Sequence, residues 1–196
     1  MKFDQSIHDP YIVAEMIYDT DPQINQIIFG TRKIGISQIM KLVTSKDTFY
    51  ATPYLHIIEN NKTIAGIVSS YPIKDKAKLT YAVGKAYFHL FGGKEFIRKM
   101  PYLLKLNRLF NGKTDHNGYY IVYLFVQENQ RRQGLAAQAI YELSEMWPTI
   151  YLHVAKENKS AVMFYENNGF TKIRESKVVF ENQDVEAYLM RRISKK

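Results

Sequence analysis

YYIVYLFVQENQRRQGLAAQAI, residues 119–140, is the stretch on which the reading of this chain turns. Its first eight residues, 119–126, form an uncharged apolar run, the pattern of a strand covered on both faces and therefore central in its sheet. The run gives way to a polar loop containing Gly134, and a helix is expected over 131–146, its first turn near that glycine. A strand that feeds such a loop and then a helix start makes an anion cradle. The first helical N–H groups lack intrahelical acceptors, the helix dipole adds about half a positive charge, and Arg131 and Arg132 stand beside them. Gly134 lets the backbone approach a ligand, and the small Ala136 and Ala137 keep the first turn clear. On these residues alone, a basic helix start with a glycine turn is an equally good description.

Outward from this stretch the chain alternates helices and strands. Upstream, helical spacing covers 10–18 with Asp9 as N-cap and Pro10 at the first position, 22–30 with Gly30 as stop, and 36–43. Strands are expected at 54–59 and 63–71, joined by Asn60-Asn61 as a hairpin turn. A helix follows with Leu79, Val83, Tyr87 and Leu90 on one face, then a break at Gly92-Gly93 and a second helix over 96–110 interrupted at Pro101. Downstream, a buried strand over 150–154, a helix over 160–168 ended by Gly169, and strands at 171–180 and 185–193 complete a β-α-β-α-β-β half. No linker or repeat divides the chain, so a single domain over 1–196 is expected.

The second informative block is LHVAKENKSAVMFYENNGF, 152–170, where a short strand is followed by Asn158, Ala161, Phe164-Tyr165 and Gly169-Phe170. With both blocks in order, the chain resembles the GNAT superfamily of acyl-CoA-dependent N-acyltransferases. That family's pyrophosphate block, a strand ending in Val and then Arg/Gln-x-x-Gly-x-Gly/Ala, is matched by Val126, Arg131, Gly134 and Ala136; its next block is matched by the residues just named. The match is firm over 119–170 and loose elsewhere.

The resemblance implies an α/β fold with a mostly antiparallel twisted sheet, splayed at the cofactor strand and flanked by helices. It also implies acetyl-CoA (coenzyme A) as acyl donor, an amine acceptor, and direct attack within a ternary complex. The backbone of Leu124, Phe125 and Val126 would bind the pantetheine arm and thioester carbonyl, and Arg131, Arg132, Gln133, Gly134, Leu135 and Ala136 the pyrophosphate. Main-chain donors at a developing oxyanion are worth about 3–4 kcal/mol each. Tyr165 would protonate the leaving thiolate, and Asn158 would contact the cofactor arm, although it reads equally well as an N-cap. Where some members carry a glutamate, this chain has Tyr120, and no carboxylate lies in 119–126, so the general base is open between a water relay and Glu59. His153, a lone histidine on a strand, reads as structural. The missing carboxylate keeps open a non-catalytic alternative, a module of the same fold that binds acyl-CoA or a partner.

The chain holds 196 residues, 46% of them apolar, enough to bury a core without disulfides or a structural metal. Without cysteine there is no thiolate zinc site, and the five histidines have no metal-ligand spacing; no metal is expected. Asp4 and Asp9 interrupt any secretory signal, and no window reaches membrane-spanning length, so a cytoplasmic address and no membrane span are expected. The net charge of +8 is local: residues 72–113 carry ten Lys and Arg against Asp75 and Glu95, and the rest of the chain is neutral. This basic helical insertion is expected to shape the acceptor pocket. Lysines interleave with aromatics there, a pattern open to a membrane surface or to nucleic acid, yet no nucleic-acid motif accompanies it and a nucleic-acid partner is not expected. Recruitment of an acidic substrate or partner, neutralisation of the cofactor's phosphates and a solvated helix face are the other readings. A homodimer is compatible with the sequence.

Overall fold

Capping side chains set the starts of the first two helices where the sequence places them, whereas the third, expected over 36–43, begins four residues earlier with no side-chain cap. The computed structural model describes residues 3–180 and 183–194; residues 1–2, 181–182 and 195–196 of the expected 1–196 unit lie outside them. Helix α1 (Pro10–Thr20) begins where the Asp9 carboxylate accepts the Tyr11 N–H, 2.8 Å. Helix α2 (Pro22–Phe29) begins where Asp21 accepts the Ile24 N–H, 3.0 Å, and stops at Gly30 with φ 85°. Helix α3 (Arg32–Val43) is tied back to α1 by Arg32, 2.9 Å from both Glu15 and Asp19.

Strands β1 (Leu55–Asn60) and β2 (Thr63–Pro72) form the expected hairpin, but the turn falls one residue later, with Asn61 and Lys62 at positive φ. Next come α4 (Lys76–Phe91), α5 (Gly93–Leu109), β3 (Tyr119–Val126), α6 (Leu135–Met146), β4 (Thr149–Ala155), α7 (Lys159–Asn167), β5 (Thr171–Phe180) and β6 (Gln183–Ile193). The six strands make one sheet in the order β1-β2-β3-β4-β6-β5, antiparallel throughout except for the β3–β4 pair. This is the expected mixed α/β architecture.

On one face, Val13, Ile17, Phe29 and Ile39 from the N-terminal helices meet Leu55, Ile57 and Ile67 from the sheet. Helix α4 joins that layer through Val83 and Tyr87; the Tyr87 hydroxyl lies 2.6 Å from that of Tyr50, so two buried hydroxyls satisfy each other. On the other face, Ile140 and Leu143 of α6 and Val162 of α7 pack on Ile121, Leu152 and Met190. Helix α5 covers the far edge, with Leu106 and Leu109 against Phe180 and Val185.

Three sequence expectations change. Helix α5 continues through Pro101 instead of breaking, because Pro101 lies on the exposed side beside the open Ile97, where a carbonyl that loses its N–H partner meets water. Helix α6 starts at Leu135, not Arg131, since Arg132 (φ 64°) and Gly134 (φ 79°) are left-handed and cannot continue a right-handed helix. Strand β3 is central as expected, yet only Ile121 and Val126 are fully buried, because β4 leaves its flank part-way along.

Gly66 sits opposite Val126, and a Cβ there would lie 2.2 Å from the Phe125 carbonyl oxygen. Gly66→Ala should therefore shift the β2–β3 ladder and lower stability by about 2 kcal/mol, a fall of about 4–8 °C in Tm by thermal denaturation. Gly84, inside α4 with nothing within 4 Å, is the contrast: Gly84→Ala should raise Tm slightly.

Candidate functional site

Parallel pairing between β3 and β4 is confined to Tyr119–Ile150, Tyr120–Tyr151 and Ile121–Leu152, although β3 continues to Val126 and β4 to Ala155. Each strand is held on its other side for its full length, β3 by β2 up to the Gly66–Val126 pair and β4 by β6 up to Ala155–Ala187. The two half-sheets therefore diverge and leave a V between them. Gln127 donates its N–H to the Ala65 carbonyl, 2.9 Å, so by the two-residue alternation of a strand Phe125 also faces β2. Leu124 and Val126 then turn their peptide groups into the V.

The loop beyond Val126 is tied down at several points. Arg131 donates from Nε to the Val126 carbonyl, 3.0 Å, and its guanidinium stands 5.7 Å from the Phe125 ring centre. The Asn60 amide at the end of β1 donates to Gln130 Oε1, 2.9 Å, and to Gln133 Oε1, 2.8 Å, fastening the loop to the hairpin. Gly134 is the N-cap of α6, and no side chain caps that end. No atom lies within 4 Å of where a Gly134 Cβ would be, so the space above the helix start is open. Arg132, Gln133 and Gly134 are exposed, while Leu135 and Ala136 are half-buried. The result is an open, positively polarised helix start at the wide end of the V.

Tyr165 lies on α7, the helix after β4, half-buried against Phe164 and Phe170 with ring centres 5.3 and 5.5 Å away. Burial pushes its phenol up to about 12, so it is protonated at neutral pH. Asn158 caps α7, its Oδ1 accepting from the Ala161 N–H at 3.1 Å and the Ser160 hydroxyl at 3.0 Å. Its bland role is thus fulfilled, and its exposed amide nitrogen is left for a ligand.

At the apex of the V the structure brings together two residues that sequence reasoning separated. The Tyr120 hydroxyl lies 2.6 Å from His153 Nδ1. Burial pushes the Tyr120 phenol well above its usual range. Burial first, then the positive charges of Lys76 and Arg174, lower the imidazole to about 3, so it is neutral above about pH 4. In the neutral imidazole one ring nitrogen donates and the other accepts; Nδ1 is engaged by Tyr120, and the buried Nε2 has no hydrogen-bond partner among the described residues. His153 is therefore more than the lone strand histidine of the sequence reading. The only signal for it was the parallel register, which places Tyr120 beside Tyr151 and so within reach of His153. Glu59, by contrast, lies on β1, two strands from the V, where it pairs with the buried His8 at 3.6 Å.

Through Lys76, half-buried and 3.4 Å from Asn111 Oδ1, the basic segment reaches this apex, while most of its cations are exposed. Among the described residues no group of His, Asp and Glu is arranged to hold a metal ion, and no helix is long and apolar enough to cross a membrane.

This geometry agrees with comparisons to known proteins. Residues 36–170 match the model of the acetyltransferase (GNAT) family. The fold is similar to an N-acetyltransferase from Staphylococcus aureus Mu50, at 17% identity over 92% of this chain and 94% of that one, with a TM-score of 0.68. It is also similar to a second solved acetyltransferase, at 15% identity over 95% of both chains, with a TM-score of 0.62. No curated protein matches the chain. At such identities the likeness speaks for the fold alone, and it is the match over 36–170, together with the splayed strands and the glycine-capped helix start, that makes this chain a member of the GNAT acetyltransferase family.

Proposed function

We propose that the protein is an N-acetyltransferase that moves the acetyl group of acetyl-CoA to a primary amine by direct attack in a ternary complex. The observation that carries this reading is the V, in which strand amides that pair with no neighbouring strand point at the space a thioester would occupy. In this reading the Leu124 and Val126 backbones hold the pantetheine arm and the carbonyl oxygen, and Phe125 serves as the rung that keeps β3 on β2. The diphosphate lies on the first amides of α6, with Arg131, Arg132 and Gln133 shaping the loop around it.

The chemistry follows from the charges on these groups. The amine nitrogen forms a bond to the thioester carbon, and oxyanion charge develops toward the strand amides, which cost no reorganisation because the ladder already fixes them. As the adduct collapses, the C–S bond breaks and the thiolate is hydrogen-bonded by the Tyr165 O–H. A phenol at about 12 cannot by itself fully protonate a thiolate of ordinary pKa near 8.5. The acidity comes instead from the ammonium of the adduct, whose proton leaves through water, while Tyr165 stabilises the departing charge. Tyr120 and His153 form a neutral hydrogen-bonding pair at the apex that orients this water without adding charge.

Three outcomes test the reading. Tyr165→Phe should lower kcat about 10- to 100-fold and change KM for acetyl-CoA by less than about twofold, in steady-state kinetics of CoA release with a panel of amines. A chain that binds acetyl-CoA in calorimetry and releases no thiol above background with any amine would be a binding module instead. Gly134→Val should raise KM for acetyl-CoA about tenfold or more while leaving kcat nearly unchanged, because a β-branched residue at φ 79° displaces the helix start. Because His153 is already neutral, kcat/KM should rise with pH along the ionisation of the acceptor amine and show no inflection near 6.5. An inflection there that His153→Phe abolishes would make the imidazole a titrating base.

A further inference from the structure

Two ridges on α4 and α5 lie outside the acetyl-transfer reading. On α4 the exposed residues Lys78, Tyr81, Lys85 and Phe88 succeed one another at steps of three and four, which places them in one row along the helix. On α5 the exposed Lys94, Ile97, Pro101, Leu104 and Arg108 do the same. On α4 the cations alternate with aromatic side chains, and on α5 Lys94 and Arg108 flank Ile97, Pro101 and Leu104; the apolar members are wide open, Tyr81 at 77% and Ile97 at 71% exposure. The opposite sides of the helices already hold their core contacts, Leu79, Val83 and Tyr87 on α4, and Leu106 and Leu109 on α5. At the turn between the helices the Phe88 ring of the α4 row lies 5.6 Å from that of Phe96, and Lys94 and Ile97 of the α5 row line one shallow depression with Phe91, Gly93 and Arg98.

The charge of this hairpin has little internal compensation. All of the net +8 of the chain resides in residues 72–113. Glu95 is taken by Arg98 at 2.7 Å and Lys99 at 3.7 Å, whereas Lys78, Lys85, Lys94 and Arg108 form no ion pair among the described residues.

We propose that the α4–α5 hairpin is a docking face for a membrane surface rich in anionic lipid headgroups, on which it lies without crossing. The unpaired cations complement the headgroup charge, and the exposed Tyr81, Phe88, Ile97 and Leu104 side chains fit the boundary between headgroups and acyl chains. At about 1.5 Å per residue the row from Lys78 to Phe88 is about 15 Å long and that from Lys94 to Arg108 about 21 Å. Nucleic acid fits less well, because aliphatic Ile97 and Leu104 stack poorly on bases and would gain nothing from a phosphate backbone. Lysine stems bury along apolar surface while their charges reach outward, the geometry that an interface between water and lipid rewards. This inference does not depend on the acetyl-transfer reading.

Co-sedimentation of the full chain with equimolar phosphatidylglycerol–phosphatidylcholine vesicles, against pure phosphatidylcholine vesicles, tests it. The chain should bind the anionic vesicles and not the neutral ones. Lys78→Glu with Lys85→Glu should weaken binding more than 100-fold, at about fivefold per unit of charge, and Tyr81→Ser with Ile97→Ser should weaken it about tenfold at unchanged charge. All four positions are exposed, so circular dichroism should show an unaltered fold. Absence of binding to the anionic vesicles at low salt overturns the proposal. So does binding that the apolar pair of substitutions leaves unchanged, or tighter binding to single-stranded RNA than to vesicles, since either would mark a purely electrostatic face.

Discussion

Between β3 and β4 the hydrogen-bonded ladder closes at three positions and then stops, and the cause lies in what each strand is tied to on its outer side. β3 is committed to β2 as far as Val126, and β4 to β6 as far as Ala155. Each half-sheet twists with its own partners, and past Ile121 and Leu152 the two cannot stay in register. The unmade rungs leave strand backbone facing open space, which a folded protein keeps only where water or a ligand completes the hydrogen bonds. The same parallel pairing that closes the apex puts Tyr120 beside Tyr151 and brings its hydroxyl to His153. The groove and its polar floor therefore have one origin.

An aromatic layer on one face of the sheet holds this geometry in place. The Tyr71 ring centre lies 5.4 Å from that of Tyr120 in a tilted contact, Phe49 lies 4.7 Å from Tyr50, and Tyr50 lies 5.8 Å from Tyr123 and hydrogen-bonds Tyr87 of α4. Tyrosine suits the task because its ring fills apolar volume while its hydroxyl can be paired. Helix α4 thus shows two characters: its inner side, with Val83 and Tyr87, belongs to the core, and its outer side carries the exposed Lys78 and Lys85.

How much of this was readable beforehand depended on range along the chain. The strand 119–126, the glycine that opens α6 and the caps of α1 and α7 are local patterns, and each appears where period, glycine and Asx residues put it. The Tyr120–His153 contact joins residues 33 positions apart and follows only from strand register, which no local period encodes. Pro101 misled because the rule that proline breaks a helix assumes a carbonyl with nowhere else to turn, and on the solvent side it has water. The apolar run of β3 suggested burial on both faces, but the run could not reveal that a neighbouring strand departs half-way.

The Asn60 clamp has a mechanical consequence. One amide at the end of β1 holds both Gln130 and Gln133, so the loop that begins α6 adds to its own Arg131–Val126 tie the stiffness of a hairpin 70 residues earlier in the chain. Anything that loosens that hairpin would blur the position of the α6 amides without touching them, and anything that grips those amides would in turn quiet the hairpin. Two remote stretches of sequence thereby share one rigidity.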